Sequence, residues 1–449
     1  MCCLDSSLSA YNLSMLSRRK FLVTAAAAAP VLALNPPMEG QQPSPSSTPL
    51  PAPILALKDR AHEAVPISTA ERQHRIERAR ELMQQHKIAA LTVTGGTTLQ
   101  YFLGIPAGQS ERLFAWTLPA SGDPFIVCPT FEEGRVHETL STSPNGANTH
   151  VYSWNEDADP YAMLARQLRA TTSSSLPLGL DERVQFVFAD RIAQAVAPRQ
   201  VTSGIPLVAG CRSIKSPAEL ALMQLANDIT LSVYKAAYAS CGPGKTNRDF
   251  TSLIDAAYAR CGVRGEVSCQ VAAYSAQPHG SPTPQVIREN QIVLIDDGCF
   301  VQGYQSDISR SFVYGKATDR QKRIFDIVHH AQTAALAAAR PGVEMQAVDA
   351  AARNVITAAG FGPDYKHFTH RVGHGIGMDM HEWPYLVRDN TQRLAANMTF
   401  SDEPGIYLAD DPEPFGIRLE DDLHITESGA RLFTPQSPSL EEPFGNASD

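Results

Sequence analysis

The stretch IVLIDDGCFVQGYQSDISRSFVYG, residues 292–315, decides the fold. Its apolar and β-branched runs flank Val301-Gln302-Gly303, which predicts an antiparallel hairpin. With the turn centred between Val301 and Gln302, Asp296 and Asp307 become near cross-strand partners, within reach of each other. Two like charges held that close repel unless a cation lies between them. A second stretch repeats the construction. MTFSDEPGIYL (398–408) and FGIRLEDDLHIT (415–426) flank Asp410-Asp411-Pro412, and the midpoint of Glu403 and Glu420 falls between Asp411 and Pro412.

Taken singly these signals are ordinary. Asp297-Gly298 is a common turn, a lone strand aspartate usually sits at a rim, and a histidine in a glycine-rich loop usually does nothing. Together, Asp296, Asp307, His374, Glu403 and Glu420 make an oxygen-rich set with one imidazole, which suits hard or borderline divalent ions. Two such ions about 3.5–4 Å apart can activate a shared water. The surrounding sequence is duplicated. Ser216-Pro217-Ala218-Glu219 and Thr318-Asp319-Arg320-Gln321 are both capping-box helix starts. Gly244 to Gly262 and Gly342 to Gly360 are both eighteen residues apart, each first glycine following a proline. This predicts two helix–helix–hairpin halves facing each other across a curved antiparallel sheet, with metals between them.

The motifs LIDDG (294–298), GYQSDISRSF (303–312), HRVGHGIGMDMHE (370–382), DEPGIY (402–407) and GIRLEDD (416–422) occur in the order of metallopeptidase family M24. The chain resembles these pita-bread enzymes from roughly residue 70 to 435. The resemblance implies an α/β N-terminal domain plus an α+β pita-bread catalytic domain with internal pseudo-two-fold duplication. It implies Asp296 as the terminal ligand of one metal, Asp307 and Glu420 as bridges, and His374 and Glu403 completing the second metal. Water activated between the ions would attack the peptide carbonyl, with Glu403 as proton shuttle. His279 and His381 would line the site and stabilise the tetrahedral intermediate. His370 matches a substrate-pocket histidine, and Arg418 would orient a bridging ligand or take a substrate carboxylate; Tyr407 is assigned to packing. The implied ions are two manganese, with cobalt or zinc as alternatives. The implied substrates are peptides with proline at the second position, cut by an Xaa-Pro aminopeptidase; a prolidase or another M24 aminopeptidase is the alternative. Creatinase-like metal-free hydrolysis and a silent binding module rank lower, because all five ligand positions are filled.

The 449 residues, 43% hydrophobic and 19% charged, describe a soluble globular protein with an ample core. A net charge of −9 gives no general basic field for nucleic acid. Ser17-Arg18-Arg19-Lys20-Phe21-Leu22, followed by VTAAAAAPVLAL, has the layout of a twin-arginine export signal over residues 1–34, and its apolar run is short for a membrane span. A periplasmic protein is expected, with an uncleaved anchor as the alternative. Residues 35–58 read as a Pro/Ser-rich linker, 59–210 as the N-terminal α/β unit, 211–435 as the catalytic domain and 436–449 as a tail without fixed structure. The N-terminal unit resembles the creatinase/prolidase domain that helps close the site or pairs subunits, so a homodimer is expected. Beyond Cys2 and Cys3, six cysteines show no CxxC spacing and read as buried free thiols.

Overall fold

A computed structural model describes residues 49–106, 108 and 110–445. The expected export signal, residues 1–34, lies outside the described residues, as does the linker before residue 49. No helix among the described residues is long and apolar enough to cross a membrane.

The linker reading is corrected at its end. Ala52–Leu55 forms a short helix, α1, with Pro51 at its N-cap, and Ile54 is fully buried. The Arg260 guanidinium donates to the Leu55 and Leu57 carbonyls at 3.3 and 3.2 Å. Apolar residues at 54, 55 and 57 outweigh the proline content that suggested an extended chain.

Helix α2 (Thr69–His86), capped by Ser68, buries Ile76, Ala79, Leu82 and Met83, the stripe expected from their helical spacing. Strand β1 (Ala90–Val93), α3 (Gly96–Leu103), and the hairpin β2 (Ala115–Pro119) and β3 (Phe125–Pro129) follow. Then come α4 (Glu133–Leu140), β4 (His150–Trp154), α5 (Pro160–Thr171), β5 (Leu178–Leu180), α6 (Phe186–Val196), β6 (Val201–Ser203) and α7 (Ile205–Arg212). The sheet order is β4-β3-β2-β1-β5-β6. One face carries its own core around Phe125, Leu164 and Ile192. The other face is continuous with the core of the following half, so Trp116, Leu82, Met223 and Phe312 belong to one cluster.

The two halves that follow are built alike. Helices α8 (Pro217–Ser240) and α9 (Asn247–Arg260) open the first, each with a complete capping box. Its strands are β7 (Arg264–Gly265), β8 (Ser268–Val271), β9 (Ile292–Asp296), β10 (Cys299–Val301), β11 (Tyr304–Gln305) and β12 (Arg310–Val313). Helices α10 (Asp319–Ala338), again with a capping box, and α11 (Met345–Ile356) open the second. Its strands are β13 (Gly373–Gly375), β14 (Glu382–Leu386), β15 (Thr399–Asp402), β16 (Gly405–Tyr407), β17 (Gly416–Arg418), β18 (Asp421–Ile425) and β19 (Ala430–Leu432). This is the duplicated antiparallel pita-bread architecture.

The second hairpin has the expected register. Gly405 pairs with Arg418 and Asp402 with Asp421, which sets Glu403 opposite Glu420. The first is corrected by one residue. Val301 pairs with Tyr304, so the turn is Gln302-Gly303, and Arg310 pairs with Ile295, which sets Asp296 opposite Ser309 and not Asp307. Gln302 and Gly303 both take positive φ, 51° and 88°, as a tight two-residue hairpin turn requires.

The tail is also corrected. Leu440 is buried, its carbonyl accepts from Val313 N–H, and Glu441 accepts from Ala317 N–H. Residues 436–445 therefore run against the body of the fold. Cys128, Cys211, Cys261, Cys269 and Cys299 are buried free thiols, and Cys241 is half-buried and free.

Candidate active site

The four acids sit where the hairpin ladders break. Asp296 ends β9, Asp307 lies between β11 and β12, Glu403 between β15 and β16, and Glu420 between β17 and β18. With backbone pairing interrupted there, their side chains converge on a cleft of about 390 Å³ that Asp297, Arg371 and Met380 also line. His374 enters from β13, its backbone N–H bound to Ser401 Oγ at 3.0 Å. Ligand atoms of Asp296, Asp307 and Glu420 lie within 4.8 Å of one another, as do those of His374, Glu403 and Glu420, and those of Asp307, His374 and His381. All five expected ligands are thus brought together.

The electrostatics fit a cation site. Asp307 and Glu420 are almost wholly buried, and burial, together with Asp296 against Asp307 and Asp307 against Glu420, raises both carboxyls well above the usual range. Burial raises Glu403 to about 7. Burial opposes charge on Asp296, but the Arg418 guanidinium together with hydrogen bonds from Ser309 and Glu420 outweighs it and holds that carboxylate low. His374 Nδ1 lies 3.1 Å from the Gly375 carbonyl, so Nδ1 carries the proton and Nε2 presents a lone pair. That Nε2 faces Glu403 Oε1 at 3.4 Å and Asp307 Oδ2 at 3.6 Å. A neutral imidazole nitrogen aimed between carboxylates, its other nitrogen fixed on a carbonyl, is the donor arrangement a divalent cation needs.

The other expected residues surround this centre. His381 packs against His374, ring centroids 4.0 Å apart and planes tilted by 60°, and His279 is exposed on the cleft wall. His370 donates from Nδ1 to the Arg371 carbonyl at 2.8 Å and accepts the Tyr407 hydroxyl at Nε2, also at 2.8 Å. Burial, then Arg418, pushes it down to about 3. Its loop is held from α11, where Arg353, ion-paired to Asp349 at 2.8 Å, donates to the Phe368 and His370 carbonyls. Arg418 is buried, not a surface arginine. It pairs with Asp296, donates to Ser309 Oγ at 2.8 Å and reaches Tyr407 Oη at 3.2 Å.

Two residues escaped the sequence reading. Ser309 Oγ contacts both Asp296 Oδ1 and Glu420 Oε2 while accepting from Arg418. The available signal was its place two residues after Asp307. Tyr407 was assigned to packing. Its hydroxyl joins His370 to Arg418, a link between side chains 48 positions apart that no local pattern reveals.

Comparison with known proteins agrees with this geometry. Metallopeptidase family M24 matches residues 221–427, and the creatinase/prolidase N-terminal domain matches residues 75–214. The Xaa-Pro dipeptidase of Lactobacillus helveticus is 30% identical over 374 residues, 82% of this chain and 98% of that protein. Among solved structures, dipeptidase PepE from Mycobacterium ulcerans superposes with a TM-score of 0.77 at 31% identity, covering 84% of this chain and 99% of that one. Prolidase from Thermococcus sibiricus does so with a TM-score of 0.73 at 27% identity, covering 83% and 98%.

Proposed function

Because this chain belongs to metallopeptidase family M24, with a creatinase/prolidase N-terminal domain, we propose that it is a dinuclear exopeptidase cutting the Xaa-Pro bond. The observation that carries the reading is two adjoining clusters, Asp296 with Asp307 and Glu420, and Glu403 with Glu420 and the neutral His374, which share Glu420. Asp296, Asp307 and Glu420 would hold one ion, and His374, Glu403 and the bridging pair Asp307 and Glu420 the other. When bound, the ions supply the positive charge that makes water a nucleophile at neutral pH. Manganese is proposed first, with cobalt or zinc as alternatives, since the oxygen-rich set accepts all three.

The chain's own residues do the rest. Glu403, which lines the cleft, can take a proton from attacking water and return it to the leaving nitrogen. That nitrogen belongs to proline and bears no hydrogen in the substrate, so it must receive one to leave. His279 and His381 flank the cleft where an oxyanion would form. The chain His370–Tyr407–Arg418–Asp296 fixes the terminal carboxylate's orientation.

The sequence alone put the aminopeptidase first. The Lactobacillus helveticus and Mycobacterium ulcerans relatives, both dipeptidases by name, move the proposal to an Xaa-Pro dipeptidase. The test is product analysis by mass spectrometry on an Xaa-Pro dipeptide and an Xaa-Pro-Yaa-Zaa peptide, with manganese and with a chelator. Chelator-sensitive cleavage of the dipeptide alone is expected. Release of Xaa from the longer peptide would make the protein an aminopeptidase, and cleavage of neither would remove the Xaa-Pro assignment. Two proposals rest on sequence resemblance only. Export through the twin-arginine signal would fall if Arg18→Lys with Arg19→Lys left export unchanged, and a homodimer would fall if light scattering gave a monomer mass.

A further inference from the structure

We infer that the N-terminal domain is part of the catalytic apparatus, acting through Asp379, a positioning residue that fixes the loop presenting Met380 and His381 to the cleft. The inference rests on the placement of His381 in the proposed reaction.

The loop runs from Ile376 to His381, between β13 and β14. Its inner side is tied by Glu382, whose Oε1 accepts the Met378 and Asp379 backbone N–H groups at 2.8 and 3.0 Å. Glu382 is buried and paired with Arg212 and with Lys215, the latter at 3.2 Å. From the first hairpin, Gln305 Nε2 donates to the Met378 carbonyl at 2.7 Å, and Gln305 N–H donates to the Gly377 carbonyl at 2.8 Å. The outer side is held by one atom. Asp379 Oδ2 receives Thr97 Oγ1 at 2.8 Å, Arg212 Nη2 at 2.8 Å and Arg183 Nη2 at 3.1 Å.

All three donors come from residues 75–214, the span matched by the N-terminal domain. Thr97 lies in the first turn of α3, Arg183 follows β5, and Arg212 ends α7. Three elements, each more than 160 positions from Asp379 in sequence, therefore converge on one carboxylate oxygen. Two positions further on, His381 has its ring against His374. A loop of six residues has few torsions to absorb a shift at Asp379, so its release displaces His381, and displacement of a reacting group by about 1 Å can cost about a hundredfold in rate. The rival account is that Asp379 merely glues two domains together. It would lower stability and leave turnover per folded molecule unchanged.

The test uses the full chain loaded with manganese and an Xaa-Pro dipeptide. Asp379→Asn should lower kcat about ten- to hundredfold with a smaller change in KM, and Asp379→Glu should recover part of the loss. Thr97→Val and the half-exposed Arg183→Met each remove one donor without emptying the core and should lower kcat several-fold, which keeps the test alive if Asp379→Asn does not fold. In a His381→Ala background Asp379→Asn should change kcat less than about twofold, because residues acting through one another are not additive. Equal losses in both backgrounds, or wild-type kcat in folded Asp379→Asn, would overturn the latch while leaving the role of His381 intact. Wild-type kcat in His381→Ala would instead overturn that role, and the inference with it.

Discussion

Chelating the metal should make the protein less stable as pH rises, across a range where most proteins change little. In and beside the site, burial has moved the titration of carboxyls upward: Glu403 and Asp297 to about 7, Asp422, which accepts from Asp307 N–H, to about 8, and Asp307 and Glu420 well above their ordinary values. A carboxyl whose folded-state pKa lies above its unfolded value contributes stability below the unfolded value and loses it as pH rises through the folded one. Asp422, fully buried, ordinarily titrates at 3.8 and here at about 8, so between those values each pH step withdraws about 1.4 kcal/mol. From about pH 6.5 to 8.5 this one group costs the apo-protein roughly 2 kcal/mol, and its acidic neighbours add to the slope. The window begins at 6.5 because burial lowers His370, His374 and His381; their contribution is lost as pH falls below 6.5 and is nearly constant above it. Urea denaturation of chelated protein, followed by circular dichroism at three pH values, measures the slope. Manganese-loaded protein should show much less of it, since cations keep these acids ionised, and Asp422→Asn should remove about one proton's worth from the apo slope. An apo stability that is flat or rises with pH would refute the packing of these acids around a shared cation site.

Asp307→Ala removes a carboxylate that belongs to two of the three ligand triads, and kcat should fall roughly a thousandfold with loss of bound metal, the scale for deleting a central catalytic group. Near-wild-type turnover in steady-state kinetics would end its bridging role. Arg310 is fully buried, ion-paired to Asp421 at 2.7 Å, and donates to the Glu420 carbonyl at 2.8 Å. Arg310→Met strands Asp421 and should cost about 3–5 kcal/mol in denaturation; a loss below about 1 kcal/mol would show that this pair does not hold the second hairpin in place.

The helices were the most legible part of the fold. The Ser216–Glu219 and Thr318–Gln321 capping boxes needed only four contiguous residues each, and both form with reciprocal side-chain bonds. The second hairpin's register followed from the symmetry of its strands about Asp411 and Pro412. The first slipped by one because Val301-Gln302-Gly303 offers two possible centres, and only the backbone shows that Gln302 accepts positive φ. The convergence of the five expected ligands does not depend on that register, because they were identified by residue type and motif, not by facing pairs. What stayed hidden was everything joining distant segments: Ser309 to Glu420, Tyr407 to His370, and Asp379 to Thr97, contacts 111, 37 and 282 positions apart.

The slip also shows how the site is built. An uninterrupted ladder would spend each acid's backbone on its own hairpin partner and alternate its side chain between faces. At the breaks the backbone bonds outside its own hairpin instead. Glu420 N–H donates to the Ser309 carbonyl at 3.2 Å, Asp307 N–H to Asp422 Oδ2 at 2.9 Å, and Glu403 N–H to the Val372 carbonyl at 2.8 Å. The residues beside the acids make the breaks. Pro404 has no N–H to continue a ladder, and Asp297 sits at φ 92°. Gly298 leaves room for the Ser306 carbonyl, which a Cβ there would meet at 2.0 Å. Asp-Asp-Gly and Glu-Pro-Gly thus read as two ways of ending a strand at a carboxylate, so that acids from both halves turn inward to one point. The duplicated hairpin brings the charges close, and the broken ladder aims them.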